Sequence, residues 1–368
     1  MSLYTMRFLT LLIPAIPKKT AKLSDTDKGY HIYDSVLYRK YQLMTELYKD
    51  DEYIQQIYRK MVIISHPFEV IKTMITTKCI PNCKPMKMTN AYMKMYEFLL
   101  WLDENNYLTF TNNEFKMYDV AGAPGMFVIA TDNYLQKKHP IINYHWKACS
   151  LEGGTALTDM YGLYATNPDK YTPCDVLKVA DIKKCISKQK YDLVTGDIGI
   201  YHEDNYDKLQ EENQLDIEWG QMILALNNVK ENGHMFLKMY SLITLESLYL
   251  LDTLTKYFDK VMITKPYCTR IFNDECYIIC INRNNKSCAH EPLTRPYLKS
   301  YTSPNIDLVK SFEYSRLDIK YRMLTFIKKI FDNLGYKATL EEFKKNKIYK
   351  IFFDEFHDLF NIFDTFDL

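Results

Sequence analysis

The segment Glu114–Leu135, EFKMYDVAGAPGMFVIATDNYL, decides the fold. Its first part is an apolar run, Phe115, Met117, Tyr118 and Val120, that carries an acid, Asp119, near its end. Ala121-Gly122-Ala123-Pro124-Gly125 then breaks the run, and a second apolar-periodic segment begins at Met126. This is the pattern of strand, tight glycine turn and helix. Such a turn lets a ligand approach bare backbone, and the following helix offers unpaired amides at its N-terminus. Two of the chain's 11 glycines fall within four residues here, which marks them as placed. On local sequence alone, an ordinary strand-to-helix turn of an α/β core competes with the ligand reading. A dinucleotide loop is disfavoured, because GxGxxG is absent and a proline stands in the turn.

Upstream, Ala91 to Leu102 reads as a strongly apolar helix with Asn90 as its N-cap, and Lys94 is its one cation. A lysine among large apolar residues either snorkels to solvent or points into a site. Downstream, Ile141 to Cys149 reads as a second strand ending near Glu152-Gly153-Gly154, where a carboxylate could meet a ribose or simply close a turn. Asp175 stands where a third strand would hand over to a ligand crevice, and Tyr191 to Asp197 is again apolar and again finished by an acid. Trp219, Met222, Ile223 and Leu226 fall at helical spacing, in a helix closed by Asn232-Gly233. His234 to Tyr240 is the next strand and carries Lys238, and Leu245 to Phe258 form a further helix. Val261 to Thr264 and Cys276 to Ile281 are joined too tightly for a crossover helix, so they pair antiparallel. The alternation predicts a Rossmann-like, mostly parallel, doubly wound sheet with one antiparallel edge strand and ligands outside the carboxyl strand ends. Asp119, Asp175 and Asp197 all fall at or near those ends.

The 368 residues, 47% of them hydrophobic, suffice for one large core with extensions. The expected division is a helical N-terminal extension at 1–88, a core at 89–283 and a helical C-terminal extension at 284–368. Within the first, Phe8 to Ile16 reads as a buried apolar arm, too short to span a bilayer. A net charge of +1 means that any polyanion is held by a local groove rather than by a globally basic surface. Nine scattered cysteines argue for a reducing, intracellular compartment and against a disulfide framework. No metal is expected: Cys79 and Cys83 have a usable spacing, but no second pair lies nearby in the sequence.

Lys94, Asp197, Lys238 and Glu275 stand where the pattern asks for apolar or small residues, the last three about 40 residues apart. Each alone is unremarked on a strand end or helix; together they form an ordered set at the site this fold provides. With Asp119-Val-Ala-Gly-Ala-Pro-Gly125, Asp192-Leu-Val-Thr-Gly-Asp197, Phe236-Leu-Lys238 and Lys265-Pro-Tyr-Cys-Thr-Arg-Ile-Phe-Asn-Asp-Glu-Cys-Tyr277, the chain resembles the FtsJ/RrmJ-like ribose 2′-O-methyltransferases over about Asn90 to Arg283. The resemblance is to the form carried by large cytoplasmic DNA viruses. It departs from that family's pattern in having Met126 where a second glycine is usual, and Ile198-Gly199-Ile200 where a proline is usual.

The resemblance implies S-adenosylmethionine as methyl donor and an RNA ribose as acceptor; the added length on both sides of the core and the near-neutral charge favour capped mRNA. Lys238 becomes the general base, Lys94 its cationic neighbour, and Asp197 and Glu275 orienting groups. Asp119, Ala121, Gly122, Ala123, Pro124, Gly125, Met126, Asp175 and Asp197 become cofactor contacts, with Asp175 at the adenine end. Arg270 becomes a phosphate contact or a structural pair. A free lysine, with a pKa of about 10.4, is protonated at neutral pH. A second ammonium and burial favour its neutral form, while flanking carboxylates oppose it. The resemblance also implies a protein partner from the capping machinery, a location in the host cytoplasm or the virion, and no membrane. Ribosomal or other internal RNA, and a catalytically silent RNA-binding scaffold of the same fold, are the competing readings.

Overall fold

The computed structural model describes residues 10–13, 31–49, 76–77, 86–87, 89–153, 159–199, 210–266, 268–270 and 273–334. In chain order the elements are β1 (Thr10–Ile13), α1 (Ser35–Lys49), β2 (Thr76–Thr77), β3 (Met86–Lys87), α2 (Asn90–Glu104), β4 (Glu114–Val120), α3 (Met126–Lys138), β5 (Asn143–Ser150) and β6 (Tyr171–Pro173). They continue as α4 (Val179–Cys185), β7 (Tyr191–Gly196), α5 (Gln210–Asn228), β8 (Val229–Tyr240), α6 (Leu245–Leu254), β9 (Phe258–Thr264), β10 (Glu275–Arg283) and α7 (Ile306–Leu334). One sheet takes eight strands in the order β1-β9-β10-β8-β7-β4-β5-β6, and β2 and β3 pair with each other apart from it. The run β8-β7-β4-β5-β6 is parallel throughout. This is the expected Rossmann-like, doubly wound sheet, and its strand order reverses beside β4, where the crevice of such sheets opens.

The expected antiparallel pairing of Val261–Thr264 with the Cys276 strand is present, with Ile263 opposite Ile278. Its strand β10 is inserted between β9 and β8 and runs antiparallel to both, while β1 closes that edge antiparallel to β9. The insertion matters for function. Because β10 runs backwards, its first residue, Glu275, lies opposite Tyr240, at the same sheet end where the parallel strands finish.

Side chains alternate across the sheet, so the two faces build two cores. Phe115, Met117, Leu193, Phe236, Tyr277 and Ile279 point to the face covered by α2 and α3. Tyr118, Val120, Val194, Leu237, Cys276 and Ile278 point to the face covered by α4, α5 and α6. By the same alternation Asp119, Asp197, Lys238 and Glu275 all share the α2/α3 face.

Three local expectations change. The N-cap of α2 is Thr89, whose backbone is extended and whose hydroxyl accepts from the Tyr92 amide; Asn90 is already helical. Helix α5 ends at Asn228, whose amide nitrogen donates to the carbonyls of Leu224 and Cys185. Asn232-Gly233 instead lies within β8, where Asn232 takes a positive φ of 60° after a shift in the β7/β8 register. The asparagine-glycine pair thus makes an irregularity in a strand, not a helix stop. Within the apolar arm expected at Phe8–Ile16, Thr10–Ile13 is a strand, so the N-terminal extension is not purely helical.

The flanking helices dock on the core. Leu37, Tyr41 and Met44 of α1 pack with Leu317 of α7 and Ile243 of the core. The expected helix at Tyr321–Leu334 is the end of α7. The periodic stretch beyond Lys49, Cys79 with Cys83, and the second tail helix at Leu340–Phe363 lie outside the described residues. Among the described residues, no helix is long and apolar enough to cross a membrane.

Candidate active site

Strand parity and aromatic stacking bring the four ionisable residues together. Phe98 and Lys94 are one turn apart on α2, so they share a face. The Phe98 ring stacks on Phe236 at 4.2 Å, and Phe236 stacks on Tyr277 at 4.4 Å. This column docks α2 on the sheet and carries Lys94 to the Tyr277 ring, 5.1 Å from its centroid. Lys238 lies two residues beyond Phe236 on β8 and Glu275 two before Tyr277 on β10, so both fall on that face and at that sheet end.

The result is a buried, paired cluster. Lys94 is 5% exposed; it donates to Glu275 and lies 3.6 Å from Asp197. Lys238 lies 3.4 Å from the same Asp197 oxygen. Asn273 donates to the other Glu275 oxygen at 2.8 Å. Two ammonium groups face two carboxylates, the condition under which buried charges are tolerated. Lys94 therefore does not snorkel. Burial pulls the Lys238 ammonium toward neutrality, but the carboxylates of Asp197 and Glu275 outweigh it and hold its pKa above the ordinary lysine value. Burial pushes the Glu275 carboxyl up, and Lys94 and Lys238 overcome that to hold it far below the usual range.

Tyr277 is a member of this cluster that patterning did not single out, because a tyrosine in a strand reads as core. Its hydroxyl accepts from Lys94 at 2.7 Å and contacts Asp197 at 2.6 Å and Glu275 at 2.8 Å. Having one proton, it donates to either carboxylate and ties the pair together. Gln221 of α5 was equally invisible. Its oxygen accepts from the Ile198 amide at 3.1 Å and its nitrogen donates to the Lys238 carbonyl at 3.0 Å, joining the two strand ends that carry Asp197 and Lys238. A Cβ at Gly196 would collide with that Gln221 side chain, so the glycine makes room for the clamp.

At the glycine turn, Asp119 accepts from Thr195 at 2.7 Å through one oxygen; its other oxygen is buried without a hydrogen-bond partner, as is the hydroxyl of Tyr164. Burial, then Thr195 and the Asp197 charge acting in opposite senses, leave the Asp119 carboxyl pushed up to about 7. A Cβ at Gly122 would meet the Asp119 carboxylate, and one at Gly125 would meet Leu163. The glycines therefore admit protein groups to the turn as well as bare backbone. Gly125, at φ 94°, is the N-cap of α3, and no side chain caps that helix. Ala121 also takes a positive φ, 55°. Ala123 and Pro124 are half-buried and Met126 is buried. An unpaired buried carboxylate beside an uncapped helix start fits a ligand with one cationic and one carboxylate group, the amino-acid end of S-adenosylmethionine.

Asp175 is half-buried and closes its own turn, accepting from the Leu177 amide and pairing with Lys178 at 3.3 Å. No contact joins it to the four-residue cluster. Glu152 is exposed beyond the end of β5. A cleft of about 340 Å3 opens beside Lys94 and Glu275, walled by Asn90, Thr269 and Arg270. Arg270 thus stands next to the cluster, on the wall of that cleft.

The sheet order and the buried lysine–carboxylate cluster at its reversal define a Rossmann-like methyltransferase fold. A family model described as FtsJ-like methyltransferase matches residues 89–283, and the chain belongs to that family. It is 32% identical over 217 residues to the "Probable methyltransferase EP424R" of an African swine fever virus isolate, covering 53% of this chain and 49% of that one. The chain thus spans about half the length of that relative. It is 26% identical over 217 residues to a "Cap-specific mRNA (nucleoside-2'-O-)-methyltransferase" of Autographa californica nuclear polyhedrosis virus, covering 55% and 73%. It is 27% identical over 241 residues to "Cap-specific mRNA (nucleoside-2'-O-)-methyltransferase 2" of Drosophila melanogaster, covering 60% and 34%.

Proposed function

We propose that the chain is an S-adenosylmethionine-dependent RNA ribose 2′-O-methyltransferase acting on the cap-adjacent nucleotide of mRNA. The observation that carries this is the convergence of Lys94, Asp197, Lys238 and Glu275 at one sheet end. When bound, S-adenosylmethionine supplies an electrophilic methyl group on a positively charged sulfur. The acceptor hydroxyl must lie in line with that methyl and lose its proton as it attacks. Lys238 is the group that takes the proton. At rest it is held protonated by Asp197 and Glu275, so its ammonium orients the 2′-oxygen, and loss of that proton gates the reaction. Lys94 is neutralised by Glu275 and held by the Tyr277 hydroxyl, and acts on Lys238 through the shared Asp197 oxygen. Asp119, Ala121 to Met126, Asp175 and Asp197 hold the cofactor, and Arg270 grips an RNA phosphate at the cleft.

The cap-adjacent site is favoured over an internal one by two relatives whose names specify the cap, and by the docked helices α1 and α7. A single flexible RNA end offers little shape, so added surface is needed to hold it. The same reading places the protein in the cytoplasm of a host cell, with a partner from the capping machinery.

The test supplies the full chain with matched short RNAs, with and without a methylguanosine cap, and maps the modified nucleotide. Methylation of the capped RNA alone, at the first ribose, is expected. Equal methylation of both, or an internal site, would sink the cap reading but leave ribose methylation standing. Absence of cofactor binding by calorimetry would leave only the scaffold.

A further inference from the structure

On the sheet face opposite the tetrad, three cysteines from three elements meet: Cys149 on β5, Cys174 just after β6 and Cys185 at the end of α4. Their sulfurs lie within 4.8 Å of one another, and all three residues are buried. The structure has seven free cysteines among the described residues, every one buried, and among them these three alone converge. The Tyr118 hydroxyl comes to the same spot, donating to the Cys185 backbone carbonyl at 3.3 Å. A thiol that served only as a small apolar side chain would have no need of two others and a phenol in one spot.

We propose that Cys149, Cys174 and Cys185 bind one zinc ion through three thiolates, with the Tyr118 hydroxyl at the fourth position. A tetrahedral zinc with Zn–S of about 2.3 Å spaces its sulfurs about 3.8 Å apart, so each sulfur needs to move inward by only about 0.6 Å or less. Binding releases the three thiol protons to solvent and leaves three thiolates around a divalent ion, a net charge of −1 that the nearby Lys184 offsets.

The site has a consequence for the cofactor pocket. Cys174 directly precedes Asp175, and its amide donates to the Ser150 carbonyl at 2.9 Å, two residues before Glu152. A metal joining Cys149, Cys174 and Cys185 staples the two loops that carry these acids to α4. It would fix the adenosine end of the pocket without touching the tetrad.

The test titrates the full chain, reduced and metal-free, with Co2+ as a spectroscopic stand-in for zinc, and counts zinc in chain purified without chelator. One equivalent of metal and an intense sulfur-to-cobalt charge-transfer band are expected in the wild type. Both should vanish in Cys185→Ser and in Cys174→Ala, and persist in the double variant Cys79→Ser/Cys83→Ser, which controls for the other cysteine pair. Zinc should raise the wild-type melting temperature and leave that of Cys185→Ser unmoved. A wild type without the band, or a band that survives Cys174→Ala or disappears with the Cys79/Cys83 pair, would overturn the assignment. The wild-type spectrum decides the matter even if a cysteine variant fails to fold.

Discussion

The Tyr277 hydroxyl donates to Asp197 Oδ1 at 2.6 Å, the same oxygen that lies 3.4 Å from the Lys238 ammonium. One carboxylate oxygen is therefore shared between a phenol and the proposed base. Every hydrogen bond it accepts from Tyr277 weakens its hold on Lys238, and so makes the neutral lysine easier to reach. In this arrangement Tyr277 positions the tetrad and sets its proton balance without touching the acceptor.

Tyr277→Phe should keep the ring column with Phe236 and Phe98 while removing only the hydroxyl. A hydrogen bond to a charged group contributes about 1.5–3 kcal/mol, so kcat should fall by roughly 10- to 100-fold. Its log kcat should lie lower by that factor at every pH with the slope kept, because Asp197 then acts on Lys238 undivided. Cofactor affinity should stay near the wild-type value. A variant whose kcat equals that of the wild type across the pH range would assign Tyr277 a packing role only.

The raised pKa of Lys238 sets the pH dependence of the wild type. Well below that pKa the neutral fraction grows about tenfold per pH unit. With the base rate-limiting, log kcat should climb with a slope near one from pH 7 upward, without a plateau while the protein stays folded. Lys238→Ala should abolish the climb together with turnover and leave cofactor binding intact. The measurement is single-turnover methyl transfer across pH, paired with calorimetry, and a flat profile would remove Lys238 as the base.

Asp119 predicts an exchange of stability for ligand affinity. Its carboxyl is pushed up to about 7 in the fold, from 3.8. Between those values the folded state keeps a proton that the unfolded state has lost, so stability falls as pH rises through the window and stays lowered above it. Asp119→Asn keeps an acceptor for Thr195 and carries no such penalty. Its stability advantage should be small below pH 4, grow to a few kcal/mol by pH 7 and level off above. Denaturant unfolding at several pH values checks this. The same variant should bind S-adenosylmethionine more weakly, since it removes the carboxylate proposed to meet the cation.

Most of this arrangement was legible in the sequence because periodicity and strand-end acids report directly on a doubly wound sheet. Lys94, Asp197, Lys238 and Glu275 were visible as charges in apolar runs, and the structure brings all four together. Tyr277 and Gln221 were hidden for the opposite reason: a tyrosine in a strand and a glutamine on a helix break no pattern. The insertion of β10 between β8 and β9 was also out of reach, since local pairing signals give the hairpin partner but not the second neighbour. Asn232-Gly233 misled because the pair marks a positive-φ position without saying whether a helix or a strand contains it.

The last prediction concerns α7, which lies beyond the family match and yet supports the tetrad. Arg316 is buried and donates to Glu313 at 2.7 Å, to Tyr41 of α1, to the Asp274 carbonyl and to Ser241 at 3.2 Å. Lys320 adds an ion pair to Asp274 at 3.0 Å. Asp274 directly precedes Glu275, and its carbonyl also accepts from the Ser241 amide at the end of β8. Helix α7 thus fastens the ends of β8 and β10, the strands that carry Lys238 and Glu275. Removing the guanidinium leaves Glu313 as a buried carboxylate without its cation, while half-buried Asp274 keeps Lys320; breaking such a buried pair typically costs about 3–5 kcal/mol. Arg316→Leu should therefore lower the unfolding free energy by that amount in denaturant titrations. Lys320→Met, which leaves Arg316 in place, should cost less stability but still loosen the Asp274–Glu275 corner, lowering kcat severalfold with cofactor affinity unchanged. If Lys320→Met turns over at the wild-type rate and Arg316→Leu is as stable as the wild type, α7 is an appendage to the core and not a part of the catalytic frame.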